Sequence, residues 1–135
     1  MIVPDASVLV PALVDEGGDG ALAREILEAD GDLHAPYLLD IEIVAALRGL
    51  VRRKTLTAER AERAIADYDE VAITRYPHLG LISRIWQLRD NVSAYDGTYV
   101  ALAEALDCTL LTADTKLAVA YGPRCLVRVI GPGGG

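Results

Sequence analysis

The sequence predicts an α/β fold, a three-layer α/β/α sandwich around a mainly parallel sheet of four to five strands. Short apolar runs alternate with longer amphipathic segments along the chain, which is the pattern of strands joined by helical crossovers. Two of these runs end on a carboxylate and lead at once into a helix. No internal repeat or linker interrupts the 135 residues, so we expect one domain over residues 1–130 and a disordered glycine-rich tail over residues 131–135.

Five apolar runs are predicted as strands. Pro4 lies in the first run, and because proline cannot donate a hydrogen bond to a neighbouring strand, we expect irregular pairing there. Pro36 closes the second run, and Pro77 follows the third. The predicted strands are residues 1–5, 33–35, 71–74, 108–111 and 126–130.

The segments between these runs are predicted as helices. Pro11 is compatible with the first turn of a helix, and Thr57 and Ser93 are good N-cap residues. The longest helix is apolar around most of its circumference, which predicts that it is well buried. The predicted helices are residues 7–14, 21–28, 38–54, 58–69, 79–89, 94–106 and 115–121.

The composition excludes several classes of protein. With 52% hydrophobic and 24% charged residues, the chain is globular rather than intrinsically disordered. No apolar run approaches the roughly 20 residues that cross a bilayer, and no basic flank precedes the first run as in a signal peptide. We therefore expect a cytoplasmic protein without a membrane partner. No Gly-x-Gly-x-x-Gly turn follows the first strand, which disfavours dinucleotide binding.

The net charge of −7 by itself argues against a nucleic-acid partner, because binding to nucleic acid relies on Lys and Arg that neutralise phosphates. Metal ions bound to some of the acids would remove this objection. A basic cluster lies near the end of the longest predicted helix and consists of Arg48, Arg52, Arg53 and Lys54. These side chains are candidates for contacts with an RNA backbone. The alternative is a solvated helix end that complements the helix dipole.

Asp5 and Asp114 each follow an apolar strand and precede a helix. Open α/β sheets bind their ligands beyond the carboxyl ends of the strands, where these residues are predicted to lie. The alternative for both is a helix N-cap, because an Asp side chain accepts hydrogen bonds from the free amides of a first turn. For Asp114 taken alone the cap is favoured, whereas Asp5 taken alone leaves both roles open.

Two further acids of interest lie on helices. Asp96 shares a helix face with Tyr99, and a carboxylate on an apolar face needs a partner or a metal ion. Ser93 and Asp96 also have the spacing of a capping box, which is the alternative role. In the longest helix, the helical wheel does not decide between Glu42, at the edge of the apolar stripe, and Asp40, nearer its centre.

Together, two strand-end acids and two helical acids can meet at one edge of a parallel sheet. Carboxylates packed together repel one another, and some of them would take up protons. A hard divalent cation removes that cost, and oxygen ligands suit Mg²⁺ or Mn²⁺. The joint pattern therefore predicts a divalent-metal site.

Four short motifs occur in order along the chain. They are Asp5-Ala6-Ser7, the single residue Glu42, the helix start Ser93-Ala94-Tyr95-Asp96, and the turn Leu111-Thr112-Ala113-Asp114. In this order and spacing they resemble the PIN-domain family, and within it the VapC-type toxins of bacterial type II toxin–antitoxin systems. The resemblance covers essentially the whole chain. Two departures are Pro4, in place of a strand-forming residue, and Gly97, where alanine is common.

This resemblance implies a metal-dependent endoribonuclease that hydrolyses RNA and, as a toxin, inhibits translation or growth. It implies Mg²⁺ or Mn²⁺ as cofactor, RNA as substrate, a cognate VapB-type antitoxin as partner, and a homodimer. Supporting polar roles fall to Ser7 and Thr112. Catalytic and metal-binding roles fall to Asp5, Glu42, Asp96 and Asp114, so the resemblance chooses Glu42 over Asp40. The alternative is a catalytically weak PIN-like module that acts mainly by binding protein or RNA; a missing acid would indicate it, and none is missing.

Overall fold

A five-stranded sheet forms the centre of the structure, a computed structural model that describes residues 1–131. The strands are β1 (Ile2–Pro4), β2 (Leu33–Pro36), β3 (Ile73–Tyr76), β4 (Thr109–Thr112) and β5 (Val127–Val129). Every pairing is parallel, and the spatial order is β3-β2-β1-β4-β5. The predicted α/β sandwich is thus confirmed, with a sheet that is parallel throughout. The predicted tail lies outside the described residues except for Gly131, and the domain boundary stays a prediction.

Helices connect and cover the strands. They are α1 (Ala6–Val14), α2 (Gly18–Asp30), α3 (Leu38–Arg52), α4 (Ala58–Asp69), α5 (Ile82–Gln87), α6 (Ala94–Leu106) and α7 (Thr115–Val119), with a 3-10 turn at Leu79–Leu81. Helices α1, α3 and α4 contact one another, whereas α6 lies against β1, β2 and β4 and carries α5 on its outside. In the part of the chain that the structure describes, no helix is long and apolar enough to cross a membrane.

The chain begins at the middle of the sheet and builds outward in both directions. After β1, the strands β2 and β3 are added on one side, and β4 and β5 are added on the other. The direction of winding reverses between β1 and β4, and ligands of open α/β sheets bind at such a switch point. Asp5 directly follows β1 and Asp114 lies just beyond β4, so both acids lie at this point.

Pro4 occupies the central strand, opposite Leu111 of β4. Amides of successive strand residues point to alternate neighbours: Ile2 donates to the carbonyl of Asp32 and Asp5 donates to that of Leu111, each at 3.0 Å. Pro4 faces the same side as Ile2, so the hydrogen bond that it cannot donate is one to β2. Pairing of β1 is accordingly one residue long on the β2 side and three residues long on the β4 side. The expected irregularity is therefore present, on one side only.

The first two helices differ from their predicted limits. Pro11 lies in the middle of α1, so its predicted place in the first turn was wrong. Helix α2 begins at Gly18, earlier than predicted, because the glycines there belong to the helix. A Cβ on Gly20 would lie 2.0 Å from the carbonyl oxygen of Asp15, so the close contact between α1 and α2 requires glycine at this position.

The prediction that the longest helix is well buried was wrong. Leu39, Ile43 and Leu47 of α3 pack in the core, but Ile41 is 67% exposed and Val44 is 51% exposed. One helix face meets the rest of the domain, and the apolar residues on the other faces are left in solvent. The strand after α4 also begins two residues later than predicted, at Ile73.

Candidate active site

Asp5 is buried, with 8% of its surface exposed, at the start of α1. It is the N-cap of that helix, since its Oδ1 accepts a hydrogen bond from the amide of Ser7 at 3.0 Å. The Ser7 hydroxyl also donates to Oδ1, and the Thr112 hydroxyl donates to Oδ2 at 2.6 Å. Asp5 is thus a helix cap whose two oxygens are both held in place by side chains from β4 and α1.

Ser7 and Thr112 form a bridge between α1 and the turn that follows β4. Their hydroxyl oxygens are 3.3 Å apart, and Thr112 is fully buried. Ser7 Oγ accepts from the amide of Ala113 at 2.8 Å, and Thr112 Oγ1 accepts from the amide of Asp114 at 3.1 Å. The two hydroxyl groups therefore position Asp5 and the backbone of Asp114 together, which agrees with supporting roles in a site.

Asp114 caps α7 as Asp5 caps α1. Its Oδ1 accepts from the amide of Lys116 at 2.9 Å. The cap alternative considered from the sequence is therefore correct for both residues. The cap of Asp114 uses Oδ1 only, and each oxygen of an ionised carboxylate has two lone pairs, so capping excludes a second role at neither residue.

Asp96 is half-buried in the first turn of α6. The Ser93 hydroxyl accepts from the Asp96 amide at 3.1 Å, so Ser93 is the predicted N-cap. The reciprocal hydrogen bond, from the Ser93 amide to the Asp96 carboxylate, is absent from the contacts of the described chain. The carboxylate of Asp96 is therefore not consumed by a capping box.

Glu42 and Asp40 lie near each other on α3 but have different partners. Asp40 accepts hydrogen bonds from the Tyr68 hydroxyl at 2.6 Å and from Arg75 Nε at 3.0 Å, and it forms an ion pair with Arg75. Glu42 accepts a hydrogen bond from the hydroxyl of Tyr99, a neutral group. Asp40 is thus paired with a cation of the same chain, and Glu42 is not.

The acids interact with one another electrostatically. Burial is the main cause that raises the pKa of Asp5; the hydrogen bonds from Ser7 and Thr112 oppose this effect, and the negative charge of Asp96 adds to it. Burial likewise raises the pKa of Asp96, the charge of Asp114 raises it further, and a hydrogen bond with the Ser93 side chain opposes both effects. Asp96 thus interacts electrostatically with both Asp5 and Asp114.

Tyr99 links this group to Glu42. Burial is the main cause that raises the pKa of Tyr99, and the hydrogen bond to Glu42 and the charges of Glu42 and Asp5 raise it further. The hydroxyl therefore stays protonated and donates to the carboxylate. The four predicted acids thus form one connected group, in which Glu42 is joined through Tyr99.

The donor set of this group fits a divalent cation that keeps part of its water shell. Within residues 1–131, none of the four acids forms an ion pair with a basic side chain. Nowhere in that range do three or more His, Cys, Asp or Glu side chains converge as a ready-made metal cage. Mg²⁺ commonly uses one or two carboxylates and completes its shell with water and substrate phosphate. A pair of these acids could therefore bind Mg²⁺ through its carboxylates, with water and phosphate as the remaining ligands.

The predicted RNA-contact residues lie apart from the acids. Arg48, Arg52, Arg53 and Lys54 are all exposed at the C-terminal end of α3. At about 1.5 Å per residue, they lie about 9–18 Å from Glu42 along the helix. The structure thus does not bring them into the acid group, although they share a helix with one of its members.

Sequence reasoning missed the roles of three residues around the site. The sequence indicates Tyr99 only as a face neighbour of Asp96, and it indicates no partner for Asp40. The signal for Tyr99 was a hydroxyl on an otherwise apolar helix face, since a buried hydroxyl needs a hydrogen-bond partner. The contacts of Tyr68 and Arg75 join distant parts of the chain and left no local signal.

Comparisons with known proteins agree with the motifs. A family model described as the PIN domain matches residues 2–123. The VapC ribonuclease Mb0985 of Mycobacterium bovis is 45% identical over 130 residues, which cover 96% of this chain and 98% of that protein. Ribonuclease VapC1 of Mycobacterium tuberculosis is 41% identical over 129 residues, which cover 95% of this chain and 96% of that protein.

Solved structures show the same fold. VapBC2 from Rickettsia felis, in a crystal structure bound to a DNA fragment from their promoter, superposes with a TM-score of 0.70 at 14% sequence identity. The match covers 94% of this chain and 97% of the solved one. At this identity the similarity concerns the fold, and it extends over nearly the full length of both chains.

Proposed function

The chain belongs to the PIN-domain family, and we propose that it is a metal-dependent endoribonuclease that acts as the toxin of a toxin–antitoxin pair. In this proposal it hydrolyses RNA phosphodiester bonds and thereby inhibits translation or growth. The match to curated VapC ribonucleases over almost the whole chain supports the proposal. The family match spans residues 2–123, a range that includes every predicted site acid.

The observation that carries the proposal is the group of acids at the switch point of the sheet. Asp5 is buried there with both oxygens held, next to Asp96, and neither carboxylate forms an ion pair within residues 1–131. The hydrogen bonds from Ser7 and Thr112 offset part of the cost of burying Asp5 but supply no opposite charge, so a bound cation would stabilise the group further. A divalent cation supplies the opposite charge and can also bind the anionic phosphodiester of RNA.

We assign the four acids as the ligands of one or two Mg²⁺ ions, with Mn²⁺ as a substitute. Asp5 and Asp96 contribute the central pair, and Asp114 and Glu42 flank it. Bound there, the ion would lower the pKa of a water molecule and neutralise charge that develops on the phosphate. Ser7 and Thr112 keep the Asp5 carboxylate in one orientation, and the half-exposed acids orient the attacking water.

The basic cluster on α3 is proposed to contact the RNA backbone. Its four side chains are exposed and would attract phosphates on either side of the cleavage site. For single-stranded RNA, the logarithm of the binding constant falls linearly with the logarithm of the salt concentration. Each phosphate contact that is lost would make this slope shallower by about 0.7. Arg48→Gln therefore lowers that slope if it contacts RNA, and leaves it unchanged if Arg48 belongs to a solvated helix end.

The proposed partners are RNA, a VapB-type antitoxin and a second copy of this chain. The Rickettsia felis structure, whose name joins a VapB and a VapC component, supports an antitoxin partner by analogy. The exposed Ile41 and Val44 on α3 provide apolar surface of the kind that protein partners cover. The proposed location is the cytoplasm, where the RNA substrate is.

Cleavage of RNA by the purified protein tests the proposal. We expect Mg²⁺-dependent cleavage that EDTA abolishes, and a loss of about 100-fold or more in Asp96→Asn and Asp5→Asn. Asp90→Asn, which changes an exposed acid outside the site, should cleave like the wild type. If the two site variants cleave as fast as the wild type, the assignment is wrong. A wild type that binds RNA or antitoxin without cleaving RNA would instead support the weak binding module.

A further inference from the structure

We propose that Tyr99 is a positioning residue that holds the Glu42 carboxylate in the orientation required for metal binding. The inference rests on the proposed function, because it concerns the same site. Its basis is the hydrogen bond that the Tyr99 hydroxyl donates to Oε1 of Glu42. This contact joins residues 57 positions apart and ties α6 to α3.

Tyr99 is well placed to act as a rigid support. Only 2% of its surface is exposed, and its ring lies in the core of the domain. It lies one helical turn after Asp96 on α6, and residues at this spacing share a helix face. The helix that presents Asp96 to the site therefore also carries the hydroxyl that holds Glu42, so the two carboxylates keep a fixed relation.

No other hydrogen bond and no ion pair orients Glu42 in the described chain. The hydroxyl of Tyr99 is the one hydrogen-bond partner that it has within residues 1–131, and no basic side chain there forms an ion pair with it. A glutamate has three rotatable side-chain bonds, so an unsupported carboxylate samples many positions. With Oε1 held by the phenol, Oε2 is the oxygen left for a metal ion or a bound water.

The neighbouring acid on α3 shows what a purely structural arrangement looks like. Asp40 also accepts from a buried tyrosine, Tyr68, but Arg75 donates to both of its carboxylate oxygens. That carboxylate has no oxygen free of a cation and keeps its place without the phenol. Both acids of α3 thus accept a hydrogen bond from a tyrosine on another helix, but only Asp40 is also paired with a cation. The negative charge of Glu42 therefore remains available to an external ion.

Binding of Mn²⁺, followed by the electron paramagnetic resonance of the free ion, tests this role. We expect Tyr99→Phe to weaken Mn²⁺ affinity about tenfold, which is the usual effect of removing a group that orients a metal ligand. RNA cleavage by this variant should slow at limiting Mn²⁺ and recover toward the wild-type rate at saturating Mn²⁺. Tyr68→Phe removes the same atom from the structural pair and should leave Mn²⁺ affinity unchanged.

A double-mutant comparison separates positioning from packing. If Tyr99 acts through Glu42, Tyr99→Phe should not weaken Mn²⁺ binding further once Glu42→Gln is present, whereas an indirect packing effect would persist. Wild-type Mn²⁺ affinity in Tyr99→Phe, with reduced affinity in Glu42→Gln, would overturn the role of Tyr99 and leave the proposed function intact. Absence of Mn²⁺ binding by the wild type would overturn both.

Discussion

The hydroxyl of Thr112 donates a 2.6 Å hydrogen bond to Oδ2 of Asp5, although the two residues are 107 positions apart. Asp5 follows the central strand β1 and Thr112 ends the neighbouring strand β4, so the parallel pairing of these strands brings the two side chains together. The same oxygen of Thr112 accepts from the amide of Asp114. One buried hydroxyl therefore connects two of the candidate site acids.

Thr112→Val should destabilise the protein and slow RNA cleavage. The substitution keeps the shape but leaves the Asp5 oxygen and the Asp114 amide without this partner, at a cost of about 1–3 kcal/mol. Urea unfolding of the metal-free protein measures this loss. Thr74→Val, at an exposed strand position, is the matched control and should change stability by less than about 0.5 kcal/mol. Equal effects of the two substitutions would contradict the role of the Thr112 hydroxyl.

Asp96→Asn should stabilise the metal-free protein while removing its response to metal. The pKa of Asp96 is raised in the folded state by burial and by Asp114, so its charged form is disfavoured there. Its contribution to stability is present below the unfolded pKa of about 3.9 and is lost as the pH rises through the folded value, so the ionised residue is a burden at neutral pH. The melting temperature without metal should therefore rise by about 1–3 °C at pH 7.

Metal should change the difference in melting temperature between the wild type and Asp96→Asn. A cation that binds only the folded state stabilises the wild type by about 2.7 kcal/mol at 100 times its dissociation constant. We expect millimolar Mg²⁺ to raise the melting temperature of the wild type, EDTA to reverse the change, and Asp96→Asn to show little of it. The same ionic strength supplied by KCl is the control. A wild type that Mg²⁺ does not stabilise would argue against a preformed site.

Asp40→Asn should mainly lower stability, whereas Glu42→Gln should mainly slow RNA cleavage. Asp40 is paired with Arg75 and bonded to Tyr68, and because the pair is partly exposed we expect its neutralisation to cost only about 1 kcal/mol of stability with cleavage retained. Glu42→Gln should change stability less and lower the rate of cleavage by about tenfold or more. Thermal unfolding and RNA cleavage, measured on both variants, show which of the two acids takes part in cleavage. Loss of cleavage in Asp40→Asn at full folding would reverse the assignment.

Gly97→Ala should stabilise the domain. Gly97 lies inside α6, where glycine costs up to about 1 kcal/mol relative to alanine. A Cβ at this position would meet Ile85 Cγ2 at 3.5 Å and Val92 Cγ2 at 3.7 Å, which are ordinary contacts. The expected gain is about 0.5–1 kcal/mol, or about 2–5 °C in melting temperature.

Gly31→Ala is the control for Gly97→Ala, because it makes the same change at a position where alanine should be unfavourable. Gly31 ends α2 with a φ of 69°, a left-handed conformation in which alanine is strained. It should therefore lower the melting temperature. A loss of stability in Gly97→Ala of similar size would mean that the contact with Ile85 is tighter than its distance indicates.

Local patterns predicted much of this fold because they act over a few residues. Thr57 and Ser93 cap their helices as predicted, and Asp5 and Asp114 follow their strands at the expected edge. The predictions that failed concern burial and contacts between distant segments. The exposure of Ile41 on α3 and the place of Pro11 inside α1 depend on how neighbouring elements pack, which periodicity does not report.

By itself, the sequence determined the alternation of strands and helices, the family, and the identity of the candidate acids. These features depend on residue type and spacing, which are local properties. Tertiary structure alone decided that Arg75 forms an ion pair with Asp40 and that the Tyr99 hydroxyl donates a hydrogen bond to Glu42. On a helical wheel the two acids were equivalent candidates, because a wheel describes one helix in isolation. In the folded protein they differ, because α4 and β3 provide partners for Asp40, whereas α6 provides a neutral hydroxyl for Glu42. The ionisation of a carboxyl group depends on its burial, on nearby charges and on its hydrogen bonds.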